Sequence, residues 1–120
     1  MSVKIKRIYS AVEENDGIRI LVDRIWPRGI SKEQAKLDDW MKEIAPSTEL
    51  RKFFNHEQDK FAEFKEKYKE ELQSNEKRQE LEELINIVKE KPTVTLLFAA
   101  KDEVHNQAVV LKEIIEDEVK

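Results

Sequence analysis

Two short stretches hold most of the side chains that could do chemistry. The first, Asp23-Arg24-Ile25-Trp26-Pro27-Arg28-Gly29, places three charges, an indole, a proline and a glycine in what reads as one turn. A guanidinium is a rigid fork of donors that matches a carboxylate or phosphate. Arg24 and Arg28 are therefore candidate anion ligands, with Asp23 orienting one of them. The second stretch is Lys101-Asp102-Glu103-Val104-His105-Asn106. Lys101, His105 and Asn106 could add contacts to the same anion, and His105 is the natural proton carrier near neutral pH if there is a reaction. Ser47, Arg51 and His56 form a third, weaker set, in which His56 is read first as a loop residue.

Each stretch also has a purely structural reading. Asp23 could pair with one arginine while Trp26 covers the core and Gly29 permits a turn. Asp102 could cap the last helix, leaving Lys101 and His105 solvated. Asp102 and Glu103 also oppose an anion.

Much other chemistry lacks its parts. The chain has no cysteine, so disulfides, thiolate catalysis and Cys-ligated metal are out. Its two histidines, His56 and His105, show no metal-binding spacing, and no metal is expected. Two glycines, Gly17 and Gly29, cannot build a phosphate or dinucleotide loop, so no cofactor is expected. A net charge of −4 argues against non-specific nucleic-acid binding. No apolar run reaches the roughly 18 residues of a membrane span, and the N-terminus does not read as a signal peptide. The expectation is a soluble cytoplasmic protein of one domain, residues 1–120, with no membrane or nucleic-acid partner.

The chemistry-bearing stretches need elements to hold them. Three strands are predicted: Val3 to Tyr9, Arg19 to Ile25, and Val94 to Ala99. The run Thr93-Val94-Thr95-Leu96-Leu97-Phe98 is the kind that suits a strand covered on both faces. Ser31 with Gln34 suggests a capping box. Leu37, Trp40, Met41 and Ile44 follow at helical spacing, which predicts a buried Trp40. Pro46-Ser47 separates this helix from the next, with Ser47 as N-cap. Further helices are expected around Phe61–Leu72, around Leu81–Val88, and from about Glu103 onward. Strands two and three should be parallel, because several helices lie between them. Between strands one and two lie only Ala11 to Gly17, shorter than a helical crossover, so strand one could run antiparallel.

The segments Asp16 to Gly29, Ala45 to Arg51, and Thr95 to Asp102 with His105-Asn106 resemble the YeaO-like family of bacterial domains of unknown function. The resemblance covers essentially the whole chain, and its most specific part is Asp23-Arg24-Ile25-Trp26-Pro27-Arg28-Gly29. It implies a small three-layer α/β/α domain with a mostly parallel, or mixed, sheet, and it adds weight to the same two stretches. Longer relatives carry cysteines near the third-strand loop. Ala99 and Ala100 stand there in this chain, so a thiol mechanism is not implied.

Parallel strands would bring both turns to the carboxyl edge of one sheet, where ligands of open α/β sheets gather. The leading expectation is a pocket for a small anionic ligand there, lined by Asp23, Arg24, Trp26, Arg28, Lys101, Asp102 and Asn106, with His105 as the catalytic candidate. A helix N-terminus after Asp102 would offer free N–H groups to that anion. The alternative is a non-catalytic protein-interaction module using the Trp26/Arg28 surface. A cleft joining the two stretches favours the first.

Overall fold

The structure, a computed structural model, describes residues 2–119. Its elements run β1 (Ser2–Arg7), β2 (Ile18–Leu21), α1 (Lys32–Ala35), β3 (Asp39–Trp40), α2 (Thr48–Phe54), α3 (Phe61–Glu71), α4 (Asn75–Glu90), β4 (Thr93–Phe98) and α5 (Gln107–Glu118), with short 3₁₀ turns between some of them. The four strands form one sheet in the order β1-β4-β2-β3, and every pairing is parallel.

The pleat of the sheet divides the core. Val94, Leu96 and Phe98 of β4, with Ile20 and Val22, face a large cluster built by α2, α3, α4 and α5. Leu97 and Leu21 face the other way, into a smaller cluster with Ile8 and Ala35, against which Trp26, Ile30, Leu37 and Trp40 pack. Burial on both faces explains why β4 reads as an apolar run without alternation. The α/β class is as the sequence implies, but the two helical layers are unequal, because the thin one holds only α1 and loops.

Several local expectations need correction. Strand one is parallel to β4, so the sheet is not mixed. The rule of a dozen connecting residues assumes a helix. Here the link is residues 8–17 with only a 3₁₀ turn at Glu14–Asp16. At roughly 3.3 Å per residue it can cross one strand and return along it. Strand two ends at Leu21, not Ile25. The amide of Val22 still donates to Leu97 at 3.0 Å, after which the chain turns off the sheet.

The Leu37–Ile44 helix does not form. The capping box of Ser31 and Gln34 is present, but α1 ends after one turn at Lys36, whose φ is 47°. Residues Asp39 and Trp40 then pair with Ile20 and Leu21 as β3. Their apolar spacing imitates a helix because a two-residue edge strand leaves no alternation to read. Trp40 is consequently half-buried against the thin layer, not sealed in the core.

On the face of the sheet that carries the thin layer, charge holds the crossover between β1 and β2. Asp16 and Arg19 are both buried, at 3% and 4% exposure, and Arg19 Nη1 donates to Asp16 Oδ2 at 2.6 Å. Lys6 Nζ reaches Asp16 Oδ1 at 3.0 Å. The Arg19 Nη2 group donates to the Ala35 carbonyl at 2.9 Å, which fixes α1. Thr95 Oγ1 donates to the Asp16 carbonyl at 2.6 Å, which ties the crossover to β4. Next to it Gly17 has φ 67°, and a Cβ there would lie 2.2 Å from the Thr93 carbonyl oxygen. Only glycine fits that approach.

Burial pushes the Asp16 carboxyl up. The Glu13 N–H and the Lys6 and Arg19 side chains more than offset this, so the net direction is below its ordinary 3.8. A carboxylate lowered on folding contributes stability above its unfolded value and loses it as pH falls through the folded one. Asp16→Ala should therefore cost about 3–5 kcal/mol at neutral pH, because it strands the buried Arg19 charge. Urea midpoints at pH 7 and pH 3 check this: the deficit should shrink at the lower pH. An unchanged midpoint at pH 7 would contradict the assignment.

Candidate functional site

At the carboxyl edge of the sheet, β2 and β4 both run out into polar turns, and α5 begins. Asp23 is the residue that joins them. Its carboxylate accepts the Ala99 N–H at 3.0 Å, just past β4, and a short hydrogen bond from the side-chain amide of Gln107, the first residue of α5. The Asp23 carbonyl accepts the Trp40 indole N–H at 2.6 Å. Arg7, at the end of β1, donates to the carbonyls of Ala99 at 3.1 Å and Ala100 at 2.9 Å. All four strand ends are thus tied either to Asp23 or to residues 99–100.

A cleft of about 970 Å³ opens beside this junction. Its walls include Asp23 and Arg24 from the first stretch and Lys101, Asp102, His105 and Asn106 from the second. The third set contributes Arg51 and His56. Trp26 and Arg28 are not among the lining residues. The Trp26 indole donates to the Ile30 carbonyl at 2.8 Å and sits edge-on to Trp40, 5.4 Å between centroids. It belongs to the thin layer. Arg28 is exposed, and its carbonyl accepts the Tyr9 hydroxyl. The chain bends at Arg24-Ile25 and turns again at Arg28-Gly29, and the two arginines do not share a wall.

The helix after Asp102 starts later than expected. The Asp102 carboxylate accepts the N–H groups of Val104 and His105, each at 2.9 Å. This makes an Asx turn that delays helix entry. Asn106 is the N-cap, and its side chain accepts from Val109 N–H at 3.1 Å. These amides already have acceptors, so they are not free for an anion. His105 Nδ1 lies 2.9 Å from Asp102 Oδ2, Gln58 Nε2 donates to the same oxygen at 3.1 Å, and the His105 ring meets Phe61 edge-on at 5.2 Å. The backbone N–H groups of Val104 and His105 hold the Asp102 carboxyl at about 2, so it stays ionised.

The cations are less well served than the carboxylates. Arg24 Nη1 and Arg51 Nε are buried with no hydrogen-bond partner among the described residues. The other contact of the Arg51 guanidinium, Nη2 to Thr48 Oγ1, is 3.5 Å long. Asp23 forms no ion pair within contact distance of either arginine among the described residues; its oxygens go to Ala99 and Gln107. Lys52 and Lys101 also line the cleft, against the two carboxylates Asp23 and Asp102. A chain of net charge −4 therefore carries a locally cationic cleft.

Sequence reasoning did not single out Lys52, Gln58 or Gln107 for this site. Gln107 could have been found from the period of α5, since it is the first helical residue after a capping Asn106. No three His, Asp or Glu side chains among the described residues gather as a metal cage would need. No helix among them is long and apolar enough to cross a membrane.

A family profile described as "Inactive DUF488-N3 subclade" matches residues 2–120. The chain is similar to the uncharacterized protein YeaO of Escherichia coli (strain K12). The two are 50% identical over 111 residues, 92% of this chain and 94% of that protein. It is also similar to the uncharacterized protein Rv3073c of Mycobacterium tuberculosis (strain ATCC 25618 / H37Rv), 36% identical over 113 residues, 94% of this chain and 92% of that protein. No solved structure matches.

The Asp23 junction gives a prediction with two arms. Burial raises the Asp23 carboxyl above its ordinary 3.8, against the lowering effects of the Ala99 N–H, the Gln107 amide, Arg51 and His56. A carboxyl raised on folding favours the native state below its unfolded value and loses that advantage as pH rises through the folded one. Asp23→Asn keeps an acceptor for Ala99 without the charge. Its stability relative to the parent should therefore rise between pH 4 and pH 7. Asp23→Ala leaves the Ala99 N–H unsatisfied and should cost about 1–3 kcal/mol. Denaturation midpoints of both variants at the two pH values check this, and an alanine variant as stable as the parent would refute the junction.

Proposed function

We propose that this chain, which belongs to the DUF488-N3 subclade described as inactive, is a binding protein whose cleft at the carboxyl edge of the sheet holds a small anionic ligand. The observation that carries the reading is the pair of buried guanidinium nitrogens, Arg24 Nη1 and Arg51 Nε, with no acceptor among the described residues. A buried donor without an acceptor costs about 1–3 kcal/mol. Both arginines line the cleft, and an oxyanion taken up by their guanidinium groups would supply acceptors the fold omits. Both carboxylates of the cleft already accept from protein donors, which leaves the net positive field to the ligand. The family's description as inactive accords with binding in place of turnover. In this reading His105, paired with Asp102, contributes a hydrogen bond to the ligand, and Asn106 shapes the turn.

A protein-docking surface on Trp26 and Arg28 has less support. The Trp26 indole is packed on Trp40 and its N–H is already used. A cytoplasmic location belongs to the proposal and rests on composition alone.

The test is a calorimetric titration with sulfate, inorganic phosphate, acetate and organic carboxylates and phosphates. At least one of these oxyanions should bind. Arg24→Met and Arg51→Met should each weaken that binding by about tenfold or more, as loss of a charged hydrogen bond implies. Affinity untouched by both substitutions, in variants with native circular dichroism, would overturn the reading.

A further inference from the structure

We propose that the ligand's oxyanion is carried on an apolar body, as in an aryl or alkyl carboxylate or phosphate monoester, and that the cleft is not built for an inorganic anion. This rests on the binding reading above and narrows it to a chemical class.

Three observations point there. The first is size. The cleft measures about 970 Å³, at the upper end of the roughly 300–1,000 Å³ that holds drug-sized organic ligands. An ion the size of phosphate would leave most of it to water.

The second is the composition of the walls. Phe54, Phe64, Pro46, Ala99 and Ala100 line the same cleft as the arginines. An apolar wall beside a few charged groups is the usual make-up of an organic-ligand site.

The third is Ile25, which lines the cleft yet is 64% exposed. It follows Arg24 directly, so the fold puts a large aliphatic side chain in water beside the candidate anion ligand. The packing of the protein itself gives no reason for it: Ile25 belongs to neither hydrophobic cluster. An apolar body attached to an oxyanion held by Arg24 and Arg51 would cover it. Covering apolar surface stabilises the complex by about 25 cal/mol per Å², a term no inorganic anion can supply.

The experiment compares matched probes on the intact chain by calorimetry: phenyl phosphate against inorganic phosphate, phenylacetate against acetate, and neutral phenylacetamide as the uncharged control. Each aryl anion should bind at least about tenfold more tightly than its inorganic or methyl counterpart, and phenylacetamide should bind at least about tenfold more weakly than phenylacetate. Ile25→Ser, at an exposed position where folding is little affected, should weaken the aryl anions about threefold or more and leave the small anions unchanged. If inorganic phosphate and acetate bind as tightly as the aryl probes, the apolar-body inference is wrong while the oxyanion reading stands. If phenylacetamide binds as tightly as phenylacetate, charge does not select the ligand and the inference is overturned. If no probe of either kind binds, the oxyanion reading itself is lost.

Discussion

The Asp23 carboxylate is the point from which the carboxyl edge of this protein is built. Four strands end there, and a parallel sheet gives no hairpin turns to hold such ends together. Asp23 does that work with one side chain and one carbonyl. It accepts from Ala99 beyond β4, from Gln107 at the start of α5, and, through its backbone, from Trp40 of β3. Arg7 closes the set from β1 by holding the carbonyls of residues 99 and 100. The burial that this junction needs raises the Asp23 carboxyl against the influence of its donors. The electrostatic cost falls at the rim of the cleft, where a strained local balance is often a sign of function.

The two charged clusters of the fold treat charge in opposite ways. On the thin-layer face, Asp16, Arg19 and Lys6 satisfy one another, with Ala35 and Thr95 completing the set. That closed network replaces the helix that a β-to-β crossover normally carries. At the carboxyl edge the carboxylates are satisfied by amides, and Arg24 and Arg51 each keep a buried N–H with no acceptor among the described residues. Buried polar groups in native proteins are nearly always paired. The same chain thus shows it can pair a buried arginine where pairing serves the fold, which makes the unpaired ones at the cleft informative.

What the sequence reveals follows from what each signal measures. The continuous apolar run of β4 reports burial on both faces and identifies the central strand. The polar turns after β2 and β4 then have to meet at one edge, and Asp23, Arg24, Lys101, Asp102, His105 and Asn106 do line one cleft. The Asp23–Gly29 stretch misleads beyond Arg24, because composition carries no direction: after the chain leaves the sheet, Trp26 turns into the thin layer and Arg28 into solvent. Arg51 and His56 look weak in sequence, since nothing local says that α2 will pack beside the strand ends. The region around Trp40 defeats periodicity altogether. Leu37, Trp40, Met41 and Ile44 keep helical spacing, yet a left-handed Lys36 and pairing with β2 make it an edge strand. The direction of β1 depends on the buried ion network around Asp16, a tertiary feature that no count of connecting residues contains.

In the proposed reading Arg24 and Arg51 together lack one oxyanion. A crystal structure of the chain grown with phenyl phosphate tests it most directly. Phosphate oxygens are expected within about 3.2 Å of both guanidinium groups, with the phenyl ring against Ile25. Density for the ligand elsewhere, or an empty cleft in which both arginines hydrogen-bond to acceptors of the protein itself, would contradict it.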